Sequence, residues 1–234
     1  MKDLSAAREG RLVFQNEACM VINKQAGESS ESPEVEAPCV PVHRLDMPVT
    51  GCLLLAKTPG AAAFLNAAFA AGRVEKRYWA IVEKPAGSVL AESGELVHWL
   101  SFTSAKNKSF AHNEAGQGRK KAVLRYRISG EGERYLFLEI DLVTGRHHQI
   151  RAQLAALGLC VKGDLKYGAR RSEKSGGIRL HAYSLAFPNP LQGGGRLEAK
   201  TLPPVMDSLW AAFASSAAPE MLNDNLDIVS KDAV

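Results

Sequence analysis

Cysteine is scarce: four in 234 residues, at Cys19, Cys39, Cys52 and Cys160, and no two of them are spaced CxxC. That argues against a zinc ribbon or a thioredoxin-like site and fits reduced thiols in a cytoplasm. Long apolar runs are absent too. Stretches such as Cys52–Ala56 fall far below the roughly 18 residues of a membrane span, so no membrane contact is expected. The opening MKDLSAAREGRLVFQ lacks the basic-then-apolar pattern of a secretory leader. Neither charge sign dominates, with 29 Lys and Arg against 25 Asp and Glu. There is no P-loop, no dinucleotide fingerprint and no ligand-spaced Cys/His set, and His147-His148 are adjacent, which suits one metal poorly. The sequence therefore demands neither a metal nor a cofactor.

What is present is ordinary for a soluble globular chain: 46% hydrophobic and 23% charged residues, a composition typical of folded domains. The length suits one domain, or one domain with a small appendage, and buries enough surface to need no metal or disulfide staple. We expect a domain over residues 1–215 and an acidic tail over 216–234, where Glu220, Asp224, Asp227 and Asp232 face only Lys231. A second acidic stretch, Glu28 to Glu36, holds four glutamates and no base. Positive charge gathers from Arg119 to Arg127 and again from Lys162 to Arg179. Such clusters on a mildly basic body suit a polyanion such as nucleic acid, and they equally describe a solvated face with loose charge pairs.

Arg11–Phe14 and Cys19–Asn23 read as strands around an Asn-Glu turn. Glu28–Pro41, acidic with Ser and Pro and without periodicity, reads as a surface loop. Gly51–Ala56 reads as a buried strand. Thr58-Pro59 then supplies an N-cap and a first-turn proline for a helix that stops near Gly72 and buries Leu65 and Phe69. Lys76–Val82, Tyr135–Val143 and Leu180–Phe187 read as strands. In Ala122–Ile128 the alternation is clean, with Ala122, Leu124, Tyr126 and Ile128 on one face and Arg125 and Arg127 on the other. His147–Leu157 carries Ile150, Leu154 and Leu157 at helical spacing. Met206, Leu209, Trp210 and Phe213 predict an amphipathic helix behind Pro203-Pro204. Strands and helices mix without a βαβ rhythm, so the expected class is α+β.

Three segments carry chemistry-bearing residues. In HRLDMPVTG, His43 to Gly51, Asp46 sits in a sharp bend before a buried strand, where a carboxylate is held rigidly; a turn aspartate bonding its own backbone has the same signature. In LVTGRHHQIR, Leu142 to Arg151, a strand ends in Thr-Gly and a helix begins. Arg151 lies one turn in, beside apolar Ile150, and a guanidinium near a core needs a carboxylate partner; the bland account is a surface arginine on the helix shoulder. In KRYWAIV, Lys76 to Val82, Tyr78 opens a strand after two basic residues, a position that also suits a packing tyrosine.

Taken in order, HRLD with its Thr-Gly and LLLAK, KRYWAIV, TGRHHQIR, GDLKYG and RLHAYSLAFPNP resemble the RluA family of RNA pseudouridine synthases, and LVFQNEACMVINKQAG resembles that family's opening strands. The resemblance runs from about Leu12 to Pro190. It implies an α+β catalytic domain with a mixed, mainly antiparallel sheet, flanking helices and a central active-site cleft. Strands beginning near Leu12 leave no room for the S4 RNA-binding domain that some relatives carry, so RNA contact is expected from the catalytic domain itself. By motif position, Asp46 corresponds to the essential aspartate, Tyr78 to the tyrosine that stacks on uracil and handles protons, and Arg151 to the basic residue paired with the aspartate. Arg44 corresponds to the arginine that helps displace the target nucleotide, and Ile150 to an apolar wall of the base pocket. His43, Arg146, His148, Arg125 and Arg127 complete the expected RNA-contacting set. Where the family reads HRLDxxTSGLL and NKPAG, this chain has Val49, Thr50 and Cys52, and Gln25; none of these removes the expected catalytic groups.

The resemblance thus implies a cofactor-free, metal-free isomerase, a cytoplasmic monomer acting on uridines of rRNA or tRNA. A uridine inside folded RNA must be flipped out at a cost of a few kcal/mol. Glycoside hydrolases typically use two carboxylates, one of them to handle water, whereas this pattern offers one. The competing expectations are an RNA-binding protein that keeps the fold without turnover, and a hydrolase that releases uracil.

Overall fold

A computed structural model describes residues 11–33, 39–84, 90–174, 176–191 and 194–217. In chain order its strands are β1 (Leu12–Gln15), β2 (Cys19–Lys24), β3 (Val40–Pro41), β4 (Thr50–Ala56), β5 (Glu75–Glu83), β6 (Ser93–Thr103), β7 (Lys108–His112), β8 (Lys120–Glu131), β9 (Tyr135–Leu142), β10 (Leu180–Pro188) and β11 (Arg196–Lys200). Its helices are α1 (Pro59–Ala70), α2 (Gln149–Ala156) and α3 (Ser208–Ser216). The class is α+β. The chain divides into two compact units, one built from Met1–Lys76 and Ala182–Met206, the other from Arg77–His181 and the segment beginning at Asp207. The expected tail lies, from residue 218 on, outside the described residues, as do residues 34–38 of the acidic stretch.

In the first unit the strands run β1-β2-β4-β10-β11, with β3 on β4. The turn between β1 and β2 forms because the Asn16 side chain accepts from the backbone N–H groups of Ala18 and Cys19, at 2.9 and 2.8 Å, an Asx turn. Thr58 caps α1 by accepting from Ala61 N at 3.1 Å, Pro59 occupies the first turn, and the chain leaves the helix at Gly72 with φ +68°. Leu65 is fully buried in a cluster with Phe14, Val21, Leu54 and Phe187, and Phe69 packs against that cluster. Gly51 (φ +117°) is obligatory: a Cβ there would lie 2.3 Å from the Ala182 carbonyl oxygen.

The second unit is an antiparallel array, β5-β9-β8-β6-β7. Tyr78 of β5 and Tyr126 of β8 both pair with Ile140 of β9, and directly opposed residues share a face. That same face carries Ala122, on which Ala152 of α2 packs. The other face carries Trp79 and Phe137, both against Phe213 of α3. So Tyr78 and α2 share one side of this array while α3 covers the opposite side.

Three expectations are corrected. Glu28–Pro41 is not simply a surface loop, because Ser30 is buried and Val40–Pro41 pairs with β4. Leu157 falls after α2 and is exposed. Met206 precedes α3 and is exposed, since Asp207 starts that helix by accepting from Trp210 N. Strands β6 and β7 were not foreseen. Along them the usual pattern inverts: His98 and Ser109 are buried while Phe102 and Phe110 are exposed.

Candidate active site

Asp46 is carried by a loop fixed on both sides of it. The Ser30 hydroxyl accepts from Leu45 N at 3.0 Å and donates to Leu45 O at 2.8 Å. The carbonyl of Met47 accepts from Gly27 N at 2.8 Å and from the Lys24 ammonium at 3.2 Å. Val49 N closes the bend onto Asp46 O at 2.9 Å. With both neighbours pinned, the backbone of Asp46 has little freedom left, and its side chain remains partly exposed.

Lys24 holds this loop together. It is 0% exposed, and its Nζ also donates to Gln25 O at 2.8 Å and Glu28 O at 2.9 Å. Three carbonyls satisfy its three protons. Burial pulls its pKa down to about 8, while the carboxylates of Glu28 and Asp46 pull it back up. Glu28 in turn grips Arg11 through both oxygens at 2.6 Å and accepts from Gln25 N. The start of the acidic stretch is therefore packed structure beneath the Asp46 loop.

Arg44 is exposed and reaches Glu31 at 2.9 Å, both side chains being about two-thirds exposed (68% and 70%); such a pair is weak and easily exchanged for another anion. His43 turns the other way. Its Nε2 accepts from Leu54 N at 3.0 Å and its ring stacks on Phe69 at 5.1 Å. An acceptor nitrogen must be unprotonated, and burial, with help from Lys76, pushes the pKa down to about 3. His148, in the second unit, is likewise pushed down to about 3, by burial first and then by Arg151. Below about pH 6.5 the unfolded chain takes up protons that these folded sites refuse, so stability is lost as pH falls through that window. The urea midpoint is expected to drop between pH 7 and pH 4.5, and His43→Gln, which keeps an acceptor, is expected to flatten that drop; an unchanged slope in the variant would refute the His43 contribution.

In the second unit the TGRHHQIR turn is built by Thr144 and Gln149. The Thr144 hydroxyl accepts from Val123 N at 2.9 Å and donates to Gln149 Oε1 at 2.8 Å, and the Gln149 amide donates to Val123 O at 3.1 Å. Gln149 Oε1 also accepts from Arg146 N, and Arg146 itself lies at the surface with its Nε donating to Lys121 O. His148, at φ +51°, turns the chain into α2. Ile150 and Arg151 are both buried at its start. Tyr78 is buried on the sheet face that α2 shares.

Arg151 has a carboxylate partner that sequence reasoning missed. Its Nε and Nη2 donate to the two oxygens of Asp164, at 2.6 and 2.8 Å. The guanidinium lies 4.9 Å from the centroid of Tyr167. Both partners belong to GDLKYG, a block that signalled family resemblance but no role.

The basic clusters are partly neutralised where they stand. Arg125 pairs with Glu95 and Arg127 with Glu139. Lys162 and Arg179 share Glu173, and Arg179 also holds Asp207. Their outward field is weaker than the count of bases suggests. Among the described residues no group of three or more His, Cys, Asp or Glu side chains is placed to hold a metal ion, and no helix is long and apolar enough to cross a membrane.

The sequence profile of the RNA pseudouridylate synthase family matches residues 16–156, which include the Asp46 loop, Tyr78 and the start of α2, and the chain belongs to that family. It is 35% identical over 145 residues to an uncharacterised RNA pseudouridine synthase of Zymomonas mobilis, covering 62% of this chain and 64% of that protein. It is 29% identical to a tRNA pseudouridine synthase C of Haemophilus ducreyi, covering 85% and 92%. It is also 29% identical to a ribosomal large subunit pseudouridine synthase D of Zymomonas mobilis, covering 78% and 66%. The chain thus spans just under two thirds of the length of both Zymomonas relatives. In fold it resembles human RNA pseudouridylate synthase domain containing 4, with a TM-score of 0.70 at 20% identity, covering 90% of this chain and 94% of that one.

Proposed function

We propose that this chain is an RNA pseudouridine synthase that isomerises particular uridines of structured rRNA or tRNA, with residues 1–215 as its catalytic domain. The observation that carries the reading is Asp46, a carboxylate on a bend whose two flanking residues are both fixed by hydrogen bonds. A group that attacks a sugar or base, or takes a sugar proton, needs such fixed placement. The names of the relatives support rRNA and tRNA as the substrate class.

The reaction balances without a redox partner. The N1–C1′ bond of the uridine breaks, the base turns, and a C5–C1′ bond forms; C5 loses a proton and N1 gains one. In this reading Asp46 opens and remakes the link to ribose. Tyr78 stacks on the loosened uracil and takes part in the proton exchange, Ile150 lines the base, and Arg151 holds the carboxylate ionised. Arg44 fills the space left by the flipped nucleotide, a role that suits its exposure and its weak tie to Glu31. His43 fixes the loop from beneath through Leu54 N. Arg146 borders the RNA path and acts on phosphates; Arg125 and Arg127, on the sheet face opposite Tyr78, reach phosphates only away from the base pocket, and buried His148 supports the turn into α2.

The test is to incubate the protein with total RNA from cells lacking it and map carbodiimide-resistant stops. New stops at single uridines are expected. No new stops despite binding would mean an RNA-binding protein without turnover; free uracil with abasic sites would mean a hydrolase.

A further inference from the structure

We propose that Asp164 is a positioning residue of the reaction, aiming the guanidinium of Arg151. The inference rests on the reading of Arg151 as a participant in that reaction. The pair is almost dry, with the side chains of Arg151 and Asp164 4% and 1% exposed. Asp164 occupies the Nε side of the planar fork, which sets the direction of the opposite end. The backbone that carries this carboxylate is itself held by hydrogen bonds. Its backbone carbonyl accepts from Tyr167 N and Ala169 N, both at 3.0 Å, and its N–H donates to Val161 O at 2.9 Å.

Tyr167 completes the clamp. Its ring lies beneath the guanidinium, and its hydroxyl donates to Ser109 O and accepts from Ser109 N, each at 3.0 Å. That hydroxyl also lies 3.1 Å from His148 Nδ1. A buried ion pair of this kind adds little or no stability over an apolar replacement. Its presence one turn into α2 is explained by what the fixed guanidinium does.

The test compares Asp164→Asn and Asp164→Glu with the parent by single-turnover rate, RNA dissociation constant and melting temperature, with Asp46→Asn run alongside. Misplacing a reacting group by about an ångström costs on the order of 100-fold. Asp164→Asn is expected to lose 10- to 100-fold, roughly, in single-turnover rate with RNA affinity within about threefold, and Asp164→Glu is expected to recover part of that loss. A parental rate in folded Asp164→Asn, with only the melting temperature lowered, would overturn the inference. Should Asp164→Asn not fold, Asp164→Glu carries the test, because it keeps the charge but displaces the fork; a parental rate there overturns the inference equally. If Asp46→Asn is inactive while the Asp164 variants turn over like the parent, the inference alone fails. If Asp46→Asn is fully active, the functional reading beneath it fails.

Discussion

Replacing Asp46 with asparagine is expected to lower turnover by at least about 10⁴-fold while RNA affinity stays within a few-fold, the scale seen when a covalent or proton-transferring group is removed from an enzyme. Asparagine matches the carboxylate in shape and leaves the bend intact, because that bend is held through Leu45, Met47 and the Asp46 carbonyl. The loss therefore belongs to the chemistry. Affinity should be spared because RNA binding is dominated by phosphate contacts, and removing an anion near a polyanion does not weaken binding. Tritium released from C5 of labelled uridines reports the rate and filter binding reports affinity. A variant that turns over comparably to the parent would remove Asp46 from the mechanism.

Much of this site was legible because its signals are local. Asp46, Arg44 and His43 stand within four positions in a motif whose proline, glycine and buried strand announce a rigid bend. Thr58-Pro59 announced α1, and the period-2 pattern of Ala122–Ile128 announced β8. Illegible parts depend on partners distant in sequence. Glu28 looked like one of four solvated glutamates because Arg11, which neutralises it, lies 17 residues away and leaves no periodic mark. Lys24, one residue past the expected strand Cys19–Asn23, carries no sequence signal, since nothing in its neighbours shows that three carbonyls converge on its ammonium. Strands β6 and β7 escaped because the side chains of their buried polar residues, His98 and Ser109, find partners in Gln153 and His147. A polar side chain satisfied by a distant residue turns inward against the rule that pattern reading relies on. The basic clusters misled in the opposite sense: their charge was visible, but not the carboxylates opposite Arg125, Arg127 and Arg179.

Arg151→Met is expected to fail twice, and the two failures separate. Turnover should fall to near the level of Asp46→Asn, because the proposed partner of the reacting carboxylate is gone. Stability should fall by about 3–5 kcal/mol as well, the usual cost of leaving a buried charge uncompensated, since Asp164 loses both of its side-chain hydrogen bonds. The variant alone is thus ambiguous, because an unfolded enzyme is also inactive. Adding Asp164→Leu resolves it. The double variant replaces a dry ion pair with apolar side chains, an exchange that is often neutral or stabilising, so its urea midpoint should return close to the parent's. Turnover should not return, because no cation is restored. Stability then couples residues 151 and 164, while activity follows Arg151. If the double variant regained both folding and turnover, the guanidinium would be a scaffold element and the aspartate would work without it. If it regained neither, the stability loss in Arg151→Met would have a source other than the stranded carboxylate.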